Sequence, residues 1–184
     1  MKKNKEEPDP ESLHNVSVDM VIEDLNWLSV PGLEREEIEL YIKRVFLLVL
    51  KYTGFFEYVS DVEVAVMLAG DGELERLNKN FCYKDGATNV LSFPKYEFDA
   101  GEFSELSTQN NEKIFLGDVA ISYQRIYNES VEQAKTFKEH FTHILIHAFL
   151  HLLGYDHITD VDAEKMEKFE ISIMSYMNFK NPYK

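Results

Sequence analysis

The chain of 184 residues is 45% apolar and 28% charged, the balance of a globular protein with material for one full hydrophobic core. Its formal charge of -14 at pH 7 argues against indiscriminate nucleic-acid binding, because phosphate backbones reward lysine and arginine. The excess is uneven, with eleven acidic and four basic side chains in residues 1 to 40, so a nucleic-acid substrate is disfavoured without being excluded. A single cysteine, Cys82, cannot close an internal disulfide, and the basic N-terminal residues are followed by no apolar stretch of the signal-peptide kind. Outside residues 143–157 no apolar run exceeds the six residues of Val45 to Leu50, far below the roughly 20 residues that span a bilayer. The expectation is a cytoplasmic protein with no membrane attachment.

Residues 1–14 are polar, charged and contain Pro8 and Pro10, which predicts a disordered acidic tail ahead of one domain over 15–184. Val16, Val18, Met20 and Ile22 alternate as a first strand. The period then changes: Ile38, Ile42, Val45, Val49 and Tyr52 recur at helical spacing behind a glutamate-rich opening turn. In VEVAVMLA, Val62, Val64, Val66 and Leu68 return to one face of a strand, and a short helix follows from the turn at Gly70. TNVLSFP and FLGDVAIS are two more strands, separated by a polar segment from Lys95 to Lys113 that is long enough to be a lid or a disordered excursion. From Tyr123 onward the pattern is helical, broken by capping boxes at Thr136 with Glu139 and at Thr159 with Asp162. The order βαβαββααα predicts a single α+β domain in which a small mixed four-stranded sheet packs with about five helices.

The segment HILIHAFLHLLGYDH, residues 143–157, places four histidines in one of the most apolar runs of the chain. Each buried imidazole needs partners for a donor and an acceptor, so something must occupy these nitrogens. His147 and His151 are four apart and share a face. Gly154 suits the left-handed turn that ends a helix, after which the chain can bring back His157. Three imidazoles with one open position are the usual ligand set of a catalytic zinc ion. His143 is about 12 Å along the axis from His151, too far to share an ion with it, and His140 is expected to be exposed. The metzincin proteases use the same H-x-x-x-H-x-x-G-x-x-H spacing with glutamate after the first histidine as general base. Here that position is Ala148, whose methyl group cannot accept a proton, so peptide hydrolysis is disfavoured.

HAFLHLLGYDH resembles the signature H-G-x-L-H-L-x-G-Y-D-H of the YbeY family of bacterial zinc-dependent endoribonucleases. LNKNF, KDGATNVLSFP, LGDVAIS and DAEKMEKFE match further pieces in the family's order, over roughly residues 60 to 175. The resemblance implies a single-strand-specific endoribonuclease of ribosomal RNA maturation and ribosome quality control, acting on ribosomal RNA or the small ribosomal subunit and not on DNA. It implies one Zn2+ per chain held by His147, His151 and His157. Asp156 matches the Y-D-H aspartate. It could orient a ligand's second ring nitrogen or simply serve the turn, and Asp118 carries the same ambiguity, while Asn89 and Ser92 could line the pocket or merely end a strand before Pro94.

One departure bears on mechanism. Cys82 stands where the family usually has an active-site arginine, and a cysteine cannot clamp a phosphate. Lys79 or Lys84 could supply the positive charge with less geometric control. A Cys82 thiolate reaching the open position would instead complete a closed site of one sulfur and three imidazoles. The alternative to an enzyme is therefore a non-enzymatic ribosome-assembly factor braced by a structural zinc.

Overall fold

The computed structural model describes residues 15–30, 32–33, 37–104, 106 and 113–184, and the tail expected at residues 1–14 lies outside them. Four strands form one mixed sheet. β1 (Asn15–Ile22), β2 (Asp61–Ala69), β3 (Val90–Pro94) and β4 (Ile114–Ser122) are ordered β1-β2-β4-β3. β1 and β4 run parallel to β2, and β3 pairs antiparallel with β4. Five helices accompany them: α1 (Ile38–Tyr52), α2 (Asp71–Cys82), α3 (Tyr123–Glu132), α4 (Phe137–Leu152) and α5 (Asp160–Tyr176). This is the single α+β domain that the chain order predicts. No described helix is long and apolar enough to cross a membrane.

The sheet's two faces are unequal because alternate side chains of each strand point to opposite sides. Val62, Val64, Val66 and Leu68 of β2 are buried in one core with Ile42, Val45, Phe46 and Val49 of α1 and Phe141, Leu145 and Phe149 of α4. The other face is covered by α2, where Leu74 and Leu77 meet Ala69, Leu91 and Ala120, with Cys82 and Phe93 packed against them. Trp27, in a 3-10 turn over Leu25–Ser29 that periodicity does not reveal, donates its indole N–H to the Ala69 carbonyl at 2.8 Å.

Both capping boxes form: the Thr136 hydroxyl accepts from Glu139 N at 3.1 Å and the Thr159 hydroxyl from Asp162 N at 3.2 Å. They fix where α4 and α5 start, and hence which residues of each helix face the other. The segment after β3, expected as a lid or a disordered excursion, is described only in part. Its described part is pinned by an aromatic cluster in which Phe103 is buried and stands 4.9 Å from the Phe55 ring centroid and 5.4 Å from that of Phe98. Phe103 and Leu106 anchor it to the core through their buried side chains, while its charged residues stay at the surface. Residues 107–112 lie outside the described residues.

Candidate metal centre

Helix α4 is apolar on nearly every side and packs against α1, β3 and α5, which leaves the histidines on its polar face. His147 and His151 project from successive turns of that face. The helix ends where Tyr155 N donates to the Leu150 carbonyl and Gly154 N to the His151 carbonyl, both at 3.1 Å, with Gly154 at φ +80°. This paired C-terminal cap turns the chain back sharply. Asp156 Oδ1 then accepts from the His157 backbone N–H at 2.6 Å and sets the third histidine opposite the other two.

The three side chains meet. One ring nitrogen from each of His147, His151 and His157 lies within 4.8 Å of the others. The Nε2 atoms of His147 and His151 are 3.1 Å apart. Two nitrogens each about 2.0–2.1 Å from a shared ion at the tetrahedral angle lie about 3.3–3.4 Å from one another. The pair is therefore spaced to hold one. Burial, reinforced by the neighbouring His147 and His157, pushes His151 down to about 4, so it is neutral near pH 7, the form in which imidazole binds a metal. His157 is exposed, and a cleft of about 290 Å³ lined by His147, His157, Asn89, His143 and Tyr183 opens beside it. Three imidazoles with one accessible side fit a divalent ion with open coordination positions.

Behind the ligands stands a carboxylate that sequence reasoning missed. Glu170 of α5 is fully buried, and its Oε1 lies 2.9 Å from His147 Nδ1. Burial works to raise its pKa, but the adjacent His143 and His147 outweigh that and hold it below the usual carboxylate range. An ionised carboxylate can only accept, so Nδ1 of His147 carries the proton and its Nε2 presents a lone pair to the triad. One signal pointed there. Glu170 interrupts the apolar stripe of Met166, Ile173 and Met174, and a lone charge in a buried stripe is a partnered charge.

The remaining candidates are placed as follows. Asp156 supports the turn through the His157 backbone and stands 3.5 Å from His157 Nδ1, so its work is to orient the segment that carries that ligand. His140, expected at the surface, is instead buried at 2% exposure, with Nε2 2.7 Å from Glu129 Oε2. The correction has a simple cause: α3 folds back onto α4 and supplies the partner that makes burial tolerable. Asn89 donates to the same Glu129 oxygen at 3.0 Å and lines the cleft. Ser92 donates to the Ala148 carbonyl at 3.1 Å and ties β3 to the histidine helix. Asp118 lies away from the triad, in the groove of about 510 Å³ on the α2 face, where burial raises its pKa. Cys82 packs with the small apolar cluster on that face, and among the described residues the metal-binding group contains three histidines and no thiolate. Lys79 is exposed and 3.7 Å from Asp85, and Lys84 is exposed, with neither lining the cleft.

Fold and site together define a single-domain α+β protein with a three-histidine centre able to hold a metal ion. The sequence profile of the family described as endoribonuclease YbeY matches residues 29–178. An endoribonuclease YbeY of Bradyrhizobium diazoefficiens is 42% identical over 127 residues, covering 69% of this chain and 67% of the relative. The solution structure of TM1509 from Thermotoga maritima shares the fold at a TM-score of 0.50 and 21% identity, over 89% of this chain and 91% of that one. The chain belongs to the endoribonuclease YbeY family.

Proposed function

We propose that this protein is a zinc-dependent endoribonuclease that cuts single-stranded RNA in the cytoplasm during ribosomal RNA maturation and ribosome quality control. Family membership supports the RNA-cleaving activity, and the convergence of His147, His151 and His157 beside an accessible cleft is the observation that carries the metal dependence. The all-imidazole donor set favours zinc over ions that prefer oxygen ligands.

The chain's own residues divide the work. His147 and His151 offer lone pairs from a rigid helix, and His157 completes the set from a turn fixed by Gly154 and Asp156. Glu170 holds the His147 proton at Nδ1, away from the ligand nitrogen. Bound there, zinc would supply Lewis acidity toward a phosphodiester oxygen and a water acidified to near pH 7. Asn89, held by Glu129, and the rings of Tyr183 and His157 border the cleft in which a nucleotide next to the scissile bond would lie. Lys79 and Lys84 are the proposed cations for the flanking phosphates, which would otherwise meet a strongly acidic protein.

A non-enzymatic assembly factor with a structural zinc is less well supported, because such a site needs a fourth protein ligand. Cys82, the chain's single thiol, sits in the α2 cluster. Cleavage of a labelled single-stranded RNA by purified protein tests the proposal. The expected result is endonucleolytic products that disappear on His147→Ala substitution, with the matching DNA spared if the RNA 2′-hydroxyl is the nucleophile. RNA left intact by zinc-loaded protein would overturn it.

A further inference from the structure

Glu170 has a second oxygen, and what holds it comes from beyond the helix. Helix α5 closes with Phe179 N donating to the Met174 carbonyl at 2.9 Å and Asn178 N to the Ser175 carbonyl at 3.0 Å, with Asn178 in the left-handed conformation at φ +62°. Asparagine is among the few residues with a side chain that enter this region readily. The chain reverses there and runs back toward α4. Lys135 Nζ secures the returning segment by donating to the Pro182 carbonyl at 2.8 Å, and within the segment Asn181 Oδ1 accepts from Tyr183 N at 2.9 Å. They deliver Tyr183 to the histidine face, where its ring meets His143 edge-on at 5.6 Å between centroids and its hydroxyl donates to Glu170 Oε2.

Tyr183 is 47% exposed, so its ring contributes little burial, whereas its hydroxyl reaches a carboxylate with no exposure at all. Tyr183, Glu170 and His147 thus touch in series, and the series ends on the ring that offers a ligand nitrogen. A carboxylate held at one oxygen alone can rotate about its last bond and let the other drift; held at both, it is fixed. We propose that Tyr183 is a positioning residue for the metal centre: its hydroxyl locks the Glu170 carboxylate so that Oε1 keeps His147 Nδ1–H in place and Nε2 aimed at the ion. His143, 3.5 Å from Oε2 on the same side, packs the assembly without sharing the ion. The inference rests on the three histidines binding a metal, and its test separates the two.

The experiment is the dissociation constant of Zn2+, measured by competition with a chromophoric chelator, for the unaltered protein, Tyr183→Phe, Glu170→Gln and the double variant. Partners that orient a metal-bound histidine typically contribute 10- to 100-fold in affinity, so Tyr183→Phe is expected to weaken zinc binding about tenfold. Its metal-free form should melt somewhat lower, because a buried carboxylate oxygen loses its donor, yet remain fully folded at the temperature of the titration, so weaker zinc binding there is not what a purely structural role predicts. In the Glu170→Gln background the tyrosine substitution should add little, since its effect passes through the carboxylate. An affinity within about twofold of the unaltered protein for Tyr183→Phe, or a full additional reduction in the double variant, overturns the inference. If the unaltered protein binds no zinc, the metal centre itself fails and this inference with it.

Discussion

A β-carbon on Gly154 would overlap the carbonyl oxygen of Phe98. This close approach joins the turn after the histidine helix to the aromatic segment after β3, and it leaves no room for a side chain where φ is already +80°. Gly154→Ala therefore meets two costs. The left-handed backbone alone costs about 1–2 kcal/mol for a residue with a β-carbon, and the clash is with main chain, which cannot rotate away. The variant is expected to be destabilised by roughly 3 kcal/mol or more in denaturant unfolding. Zinc affinity should fall as well, because the displaced turn carries His157.

Acid stability is expected to depend on Glu129. Burial pushes its pKa up, but hydrogen bonds from His140 and Asn89, helped by the charges of His140 and Arg125, leave it below the usual carboxylate range. A carboxylate depressed in the folded state stabilises the protein above its unfolded pKa, and that contribution disappears as pH falls through the folded value. Glu129→Ala also strips a buried imidazole of its partner, at about 1–3 kcal/mol. Urea unfolding at a series of pH values should show the largest deficit near neutrality and a narrowing difference below about pH 4.5.

Replacing Lys79 and Lys84 together by alanine tests the proposed phosphate interactions. Each phosphate that is no longer neutralised should reduce the salt dependence of single-stranded RNA binding by about 0.7 units of slope. Fluorescence anisotropy across a range of salt concentrations is expected to show weaker binding and a shallower slope, with zinc affinity unaltered. An unchanged slope would remove both lysines from the RNA path.

Metal removal should leave the fold intact. The main core unites β2, β4, α1 and α4 through side chains such as Phe46, Phe141 and Phe149, none of which is a ligand. Chelated protein is expected to keep its far-ultraviolet circular dichroism and a cooperative thermal transition while losing RNA cleavage, and added zinc should restore the activity. Unfolding on chelation would instead mark a structural ion.

What could be read from the chain was whatever its neighbours in sequence decide. Alternating valines marked β2, Thr136 with Glu139 and Thr159 with Asp162 marked the helix starts, and His147, His151, Gly154 and His157 reported their own convergence because helical geometry relates them. The site's support was harder to see. Glu170 meets His147 across 23 residues, Glu129 meets His140 through a helix that folds back, and Tyr183 arrives by a reversal after α5. Those pairings are set by how helices pack, and local periodicity carries no record of them. His140 is buried against expectation for the same reason: its partner Glu129 lies on another helix.

That imidazoles at 147, 151 and 157 share one divalent ion is tested most directly by elemental analysis of protein purified without an affinity tag, set beside its RNA cleavage. The expected result is one zinc per chain in the unaltered protein, with both metal and cleavage gone from His147→Ala/His151→Ala. A washed preparation lacking any stoichiometric transition metal, or a double variant free of contaminating nuclease that still cuts RNA at full rate, would contradict it.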